Sequence, residues 1–549
     1  MHWSLTEPFA VGELVAMAAV VAAALLTPAG LRQRLERAGN AVVSVLARRP
    51  ALAIFFLSLA WNLLPLAISE PVPGTHDEFS YLLMADTFLR GRLSMPRHPL
   101  WRSFETFHVI QDPTYASKYP PFQGLVLAAG WLFFGRPILA VKIMAALDAV
   151  GVWWCLRGWM PPRWALLGAL VFVLQFGGFS YWSQSFFGGV GAALGGALVL
   201  GAYPRLIARP RWPHGMLLGV GLAILATTRP YEGLILTVPV AGALIWNARR
   251  SARPYARALL PAGLIAAATV AAVGFYNRSL TGSALTFPYQ VYTARYGYAQ
   301  PFLFQAPPSR VNIPQPMMQK FVDYFEKRHY EASWWEHWRP LLKFYVAPLL
   351  LPPLLLLPWL WRHRRSRFPI ALGLVALGGS ALTTFLLPHY VAPFSGLLLL
   401  LLVQCLRLVR VTRWRGQAVG RFAYRAILRA WIYAWVVISL VAGSAQAHAR
   451  LLKPWYIARR DLERELEGLP GRHLVFVHYD NSHSPHEEWV YNRADIDGAR
   501  VVWAREVSPA QDTAVGRYFC SRSVWLVRPD RPGPLRLEKL RAPECEAPD

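Results

Sequence analysis

The chain has 549 residues, with 57 Lys and Arg against 31 Asp and Glu, a net charge of +26, and 54% hydrophobic residues. That is too apolar for a soluble basic protein, and several runs approach the roughly 20 apolar residues that a membrane-crossing helix needs. A nucleic-acid partner is excluded as well, because the basic residues fall between hydrophobic runs instead of gathering on one folded face.

The first run, about residues 8–27, has Glu7 and Glu13 near its start and arginines after it. This reverses the charge order of a secretory signal, so the run reads as a retained helix with its start outside. Further spans are expected at 51–69, 120–135, 137–157, 163–180, 185–203, 214–228, 231–247, 256–276, 341–361, 368–387, 390–409 and 427–447. The expected fold class is an all-α polytopic membrane protein of about 12–13 transmembrane helices with a small C-terminal soluble α/β domain. Basic clusters such as "LRQRLERAGN", "RLIARPRWPH", "NARRSARPYAR", "WRHRRSR" and "RLVRVTRWRGQAVGRFAYR" separate the spans and mark the cytoplasmic side. Segments 70–119, 277–340 and everything after about 448 then lie outside. A parity problem follows, since seven spans separate the first two outer segments and an even number is needed. Segment 120–135, about 16 residues or ~24 Å as a helix, is short for a crossing; it or a neighbour is expected only to dip into the membrane.

The first outer segment contains "HDEFSYLLMADTF", with His76 before the adjacent acids Asp77 and Glu78. Acids are scarce here: 16 of the 31 lie after position 449, leaving 15 for the membrane part against 41 basic residues. The segment returns to the membrane through "DPTYASKYPPFQG", where Lys118, Tyr119 and the Pro120-Pro121 pair stand at the boundary. An acid pair and a lysine are thus tethered at one membrane face. A structural reading competes, because the helix dipole favours Asp and Glu in any first turn.

Within the span 137–157, Lys142 and Asp148 are charges at a depth where charges are usually paired or functional. Their six-residue offset suits mutual pairing poorly, so Lys142 is expected to snorkel toward the outer surface and meet a phosphate. "FSYWSQSFFGG" supplies an outer turn with Tyr181, Trp182 and Gln184. "ATTRPYEGLIL" places Arg229 and Glu232 between two spans, and "LLPHYVAPF" adds His389 and Tyr390. Each is ordinary interfacial composition alone, but all fall on the same side as the acid pair. In the second outer segment, "MMQKFVDYFEKRHYEASWWEHWRPLLKF" reads as an amphipathic helix on the outer membrane surface.

The two domains are expected at 1–448 and 449–549. In the tail, "HLVFVHY", "ARVVWAREV" and "RSVWLVRP" have strand composition, and "SPAQDTAVGRYF" opens with a serine N-cap and reads as a helix. Cys520 and Cys545 both belong to the tail, and an extracytoplasmic location would permit a disulfide between them. The cluster "VHYDNSHSPHEEW" matches no recognised metal-ligand spacing and reads as an exposed polar loop.

The acid pair, the amphipathic helix after it, the "KYPP" return, the "LFFG" ending, a basic residue early in the next span and the "TRPYEG" turn together resemble the GT-C glycosyltransferases. The nearest branch is that of the protein O-mannosyltransferases and aminoarabinose transferases. The resemblance covers about residues 51–250, extends loosely to 410 and does not reach the tail. It implies a polyprenyl-phosphate sugar donor, Asp77 as catalytic base, Glu78 as its supporting neighbour, and Lys118 near the lipid phosphate. Arg229 and Lys142 stand where members of the family carry Lys or Arg. His76 and the "RPYE" turn are not general features of the family, and they leave sugar and acceptor open. The remaining candidates for substrate contact are Tyr119, Gln184, Glu232, His389 and Tyr390. The implied enzyme sits in the cytoplasmic membrane with its site and tail outside, transfers to a glycan, lipid or protein, and uses no cofactor or metal. A transporter or flippase of lipid-linked sugars, and an envelope scaffold presenting the tail, are the competing classes.

Overall fold

A computed structural model describes residues 11–297, 300–306, 313, 315–330, 333–452, 454–533 and 535–541. Among these, seven helices are long and apolar enough to cross a membrane: Pro50–Ala67, Pro137–Arg157, Val190–Ala208, Pro230–Ala248, Ala252–Thr281, Ala392–Val411 and Val419–Ala449. Two pairs qualify only together: Val15–Leu26 with Ala29–Leu46, bent by 94°, and Trp334–Tyr345 with Leu350–Leu360, bent by 104°. Three expected spans are shorter, at Phe122–Phe134, Pro162–Phe176 and Trp212–Ala226. Phe122–Phe134 is confined by the prolines before it and by Gly135, whose φ of 66° closes the helix in a left-handed cap. Its 13 residues reach only about 20 Å.

The centre of the bundle is built on small residues, which let helices approach closely where no water drives them together. Helix Val190–Ala208 runs through it; a Cβ on Gly196 would fall 1.9 Å from the Pro393 carbonyl oxygen. The first outer segment folds as helix His76–Leu89 followed by a small antiparallel sheet in the order Met95–Pro96, Thr114–Ser117, Val109–Ile110.

The tail is an α/β unit. Strands Val501–Arg505, His473–Val477 and Ser523–Val527 pair in that order, all parallel, and Glu538–Lys539 adds an antiparallel edge. Helix Pro509–Tyr518 starts at Ser508, whose side chain accepts from the Gln511 N–H. Alternation along the strands decides what covers each face. Leu474, Phe476, Val502, Ala504, Val524 and Leu526 face one way and pack on Leu83, Phe104, Val109 and Tyr115 of the first outer segment. Val475, Val477, Trp503 and Val527 face the other way, onto Leu462 and Leu466 of helix Trp455–Gly468. The tail therefore shares a core with the segment that carries the acid pair. Cys520 is disulfide-bonded; Cys545 lies outside the described residues.

The second outer segment differs from the surface helix expected of it. It breaks into Pro316–Tyr330 and Trp334–Leu341, the latter capped by Ser333. Met317, Met318, Phe321 and Val322 do not rest on lipid; they pack with Phe107 and Ile110 of the first segment and with Tyr292 and Tyr296 of helix Pro288–Tyr296. Only the second piece, with Trp334 and Trp335 exposed, keeps the character of an interfacial helix.

Candidate functional site

Helix His76–Leu89 begins where the chain leaves the helix Pro50–Leu63, and a capping box holds its first turn. Glu78 Oε2 accepts from the Gly74 N–H at 2.8 Å and from the Thr75 N–H and hydroxyl, each at 3.2 Å. Its Oε1 accepts from the Phe186 N–H at 3.1 Å. Both oxygens of this buried carboxylate are engaged, so Glu78 positions the turn and ties it to the 185–189 loop. Burial pushes its pKa up to about 7, and the bonds from Gly74, Phe186 and Thr75 work against that rise.

Asp77 points elsewhere and is only partly buried. The Tyr119 hydroxyl donates to Asp77 Oδ1. The Tyr119 ring stacks on Tyr81, one helical turn beyond Asp77, with centroids 4.5 Å apart. Lys118 is buried beside them, its ammonium 4.4 Å from the Tyr292 ring centroid and 5.3 Å from that of Tyr119. Burial lowers its pKa to about 7, while the Asp77 charge pulls it back up.

Arg229 completes the cation set. It opens helix Pro230–Ala248 and lies over the Tyr390 ring at 3.9 Å. The Tyr390 phenol is raised by burial, opposed by Arg229 and reinforced by Asp77, so it lies in the field of both. Glu232 is buried one turn beyond Arg229, whose charge it also faces. His389 Nδ1 pairs with the Tyr181 hydroxyl at 3.1 Å, and burial followed by the Arg229 charge holds it well below its usual pKa. Asp77, Lys118, Tyr119, Arg229, Glu232, His389 and Tyr390 thus come together as the sequence expects.

Four candidates do not join them. His76 is buried among Phe107, Phe321 and His486, with Nδ1 2.7 Å from the Tyr491 hydroxyl of the tail. Burial, then His486 and Lys118, lower its pKa to about 3, so it is neutral. Lys142 does not snorkel. It is fully buried and donates to the Ser183 carbonyl and hydroxyl, where it holds the 181–184 turn. Gln184 donates to the Gly178 carbonyl at 2.6 Å and braces the same loop. Glu78 is the capping residue described above. Conversely, the candidate set missed Tyr81 and Tyr292. Tyr81 had a local signal, its i+4 spacing from Asp77; Tyr292 arrives from another segment and had none.

Pairs of arginines lie at the far ends of three helices that frame this cluster. Helix Trp212–Ala226 starts beside Arg209 and Arg211 and ends just before Arg229. Helix Pro230–Ala248 starts at Arg229 and ends at Arg249 and Arg250, and helix Ser395–Val411 runs from just after Tyr390 to Arg407 and Arg410. Among the described residues, no group of three or more His, Cys, Asp or Glu side chains is placed to hold a metal ion.

A partly exposed carboxylate held by a phenol, with a buried lysine and a half-buried arginine nearby, can accept a proton beside a site that stabilises an anion. The helical architecture around it has the fold of two solved structures. The chain is similar to ArnT from Cupriavidus metallidurans. The structure bound to undecaprenyl phosphate is 14% identical at a TM-score of 0.51, with 88% of this chain and 92% of that one covered. The apo structure gives 13%, 0.50 and the same coverage. The archaeal oligosaccharyltransferase AglB from Archaeoglobus fulgidus, in complex with an inhibitory peptide and a dolichol-phosphate, is 12% identical at 0.43, covering 88% and 70%. No family model matches the sequence, and no curated protein does.

Proposed function

We propose that the chain is an inverting glycosyltransferase that moves a sugar from a polyprenyl-phosphate donor to a glycan, lipid or protein acceptor at the outer face of the cytoplasmic membrane. The observation that carries this reading is Asp77, held by Tyr119 with Lys118 beside it, where a helix leaves the membrane. The acceptor oxygen or nitrogen attacks the anomeric carbon and gives its proton to Asp77. The bond from that carbon to the phosphate oxygen breaks, and its electron pair leaves with the lipid phosphate. Lys118 and Arg229 neutralise the leaving group, and one direct displacement inverts the anomeric carbon. The similarity to an ArnT structure holding undecaprenyl phosphate supports the donor class. The arginines at the opposite helix ends support an extracytoplasmic site by the positive-inside rule. No cofactor or metal enters this reaction.

A flippase would place its polar site near mid-membrane between repeated halves. The cluster here lies at helix ends and in loops, which favours the transferase. Mass spectrometry of envelope glycans from a strain lacking the chain tests the proposal. Loss of one sugar modification, restored by a plasmid copy, supports it. An unchanged glycan profile, together with purified protein that moves lipid-linked sugar across vesicles without forming a glycosidic product, overturns it.

A further inference from the structure

The first turn of helix His76–Leu89 is gripped from three directions. Glu78 binds the 185–189 loop, and the hydroxyl of Ser80 donates to the His108 carbonyl at 2.6 Å and meets that of Ser117 at 2.7 Å. The third grip comes from a residue about 400 positions away. The Tyr491 ring stacks on Phe79 at 4.1 Å with an interplanar angle of 2°, and its hydroxyl lies 2.7 Å from His76 Nδ1. Residues 76 and 79 share one helix face, so a single tail side chain holds the face next to Asp77 by ring and by hydroxyl.

Tyr491 is itself fixed. Its carbonyl accepts from the Arg459 guanidinium at 2.8 Å, as does the Trp489 carbonyl, and the same guanidinium lies over Phe79 at 5.2 Å. Further along, the Ala494 N–H donates to Asp86 Oδ2 at 2.8 Å and the Tyr115 hydroxyl donates to the Asn492 carbonyl. The strip 489–494 therefore runs along the acid helix from its first turn to its last.

We propose that the C-terminal unit is a working part of the site, with Tyr491 as a positioning residue that sets the orientation of the Asp77 turn through Phe79 and His76. This rests on the transferase reading of Asp77. Because the tail's sheet and the first outer segment share a core, the unit acts as the outer wall of the site and not as an appended module. The role explains why a neutral, buried histidine precedes the acids: it is the anchor for the tail hydroxyl.

The test compares Tyr491→Phe, Tyr491→Ala and Asp77→Asn in the deletion strain. It reads the initial rate of restored glycan modification, the melting temperature of purified protein, and hydrogen exchange over residues 74–89. Tyr491→Phe keeps the stack and removes one buried hydrogen bond, and it is expected to lower the rate roughly 3–10-fold. Tyr491→Ala is expected to cost on the order of 100-fold, the effect of displacing a reacting group by about 1 Å. In both variants, exchange in the first turn accelerates while the melting temperature stays within a few degrees of wild type. Asp77→Asn lowers turnover by roughly 10²–10⁴-fold without changing exchange. Wild-type rates and exchange in the Tyr491 variants, with Asp77→Asn inactive, overturn the positioning role alone. An active Asp77→Asn overturns the transferase reading instead. If the alanine variant does not accumulate, Tyr491→Phe decides by the same readouts, and a wild-type rate with unchanged exchange refutes the proposal.

Discussion

Lys118 gives the sharpest handle on donor binding. Its pKa falls from the ordinary 10.5 to about 7, first because of burial and with Asp77 opposing, which amounts to roughly 5 kcal/mol against the charged form. At neutral pH the site is poised, and a lipid phosphodiester, which does not titrate in this range, binds the protonated lysine. At limiting donor in isolated membranes, transfer should therefore fall about tenfold per pH unit above roughly 7. Lys118→Arg keeps its charge throughout and should carry the plateau past pH 9, at some cost in rate because a planar fork replaces a point charge. Lys118→Met should remove the limb and lower transfer by on the order of 10³-fold, in line with about 4 kcal/mol for a charge pair near 4 Å at intermediate dielectric. Stability follows the other arm of the same linkage. The unfolded chain holds the proton up to 10.5 and the folded chain only to about 7, so this group makes the protein more stable as pH rises between those values. A wild-type profile flat to pH 9, or wild-type transfer by Lys118→Met, would refute the assignment.

The remaining predictions concern the supports of the site. Glu78→Ala strands four donors and removes a capping box, so a loss of about 3–5 kcal/mol and a clear drop in melting temperature are expected. Lys142→Met should leave donor KM unchanged, because the ammonium is spent on Ser183; a large rise in KM would restore it to the phosphate site. Arg505→Leu leaves the fully buried Glu488 without its cation and should destabilise the tail by about 3–5 kcal/mol, read as earlier thermal unfolding.

Hydropathy made the membrane helices legible, and helix Pro137–Arg157 occupies the expected residues. The tail's strands and its serine-capped helix also lie within the stretches read from composition, because alternation and capping are local properties. What sequence did not carry was partnership. The apolar stripe of Pro316–Tyr330 is visible, but nothing local says that Phe107 covers it instead of lipid. Lys142 looked like a snorkelling residue because the Ser183 carbonyl that receives it is 41 positions away. Glu78 reads in sequence as the supporting neighbour of the catalytic base, although its distance from Thr75 is that of a capping box, which is a local signal. The tail was read as separate because its contacts with the acid helix join residues some 400 positions apart.

The central claim is that the Asp77 carboxylate takes the acceptor's proton. Asp77→Asn keeps shape and the contact with Tyr119 but cannot act as that base. With the variant at wild-type abundance and melting temperature, transfer from the native lipid-linked donor should fall by roughly 10²–10⁴-fold while donor binding persists. Transfer at the wild-type rate would contradict the account at its root.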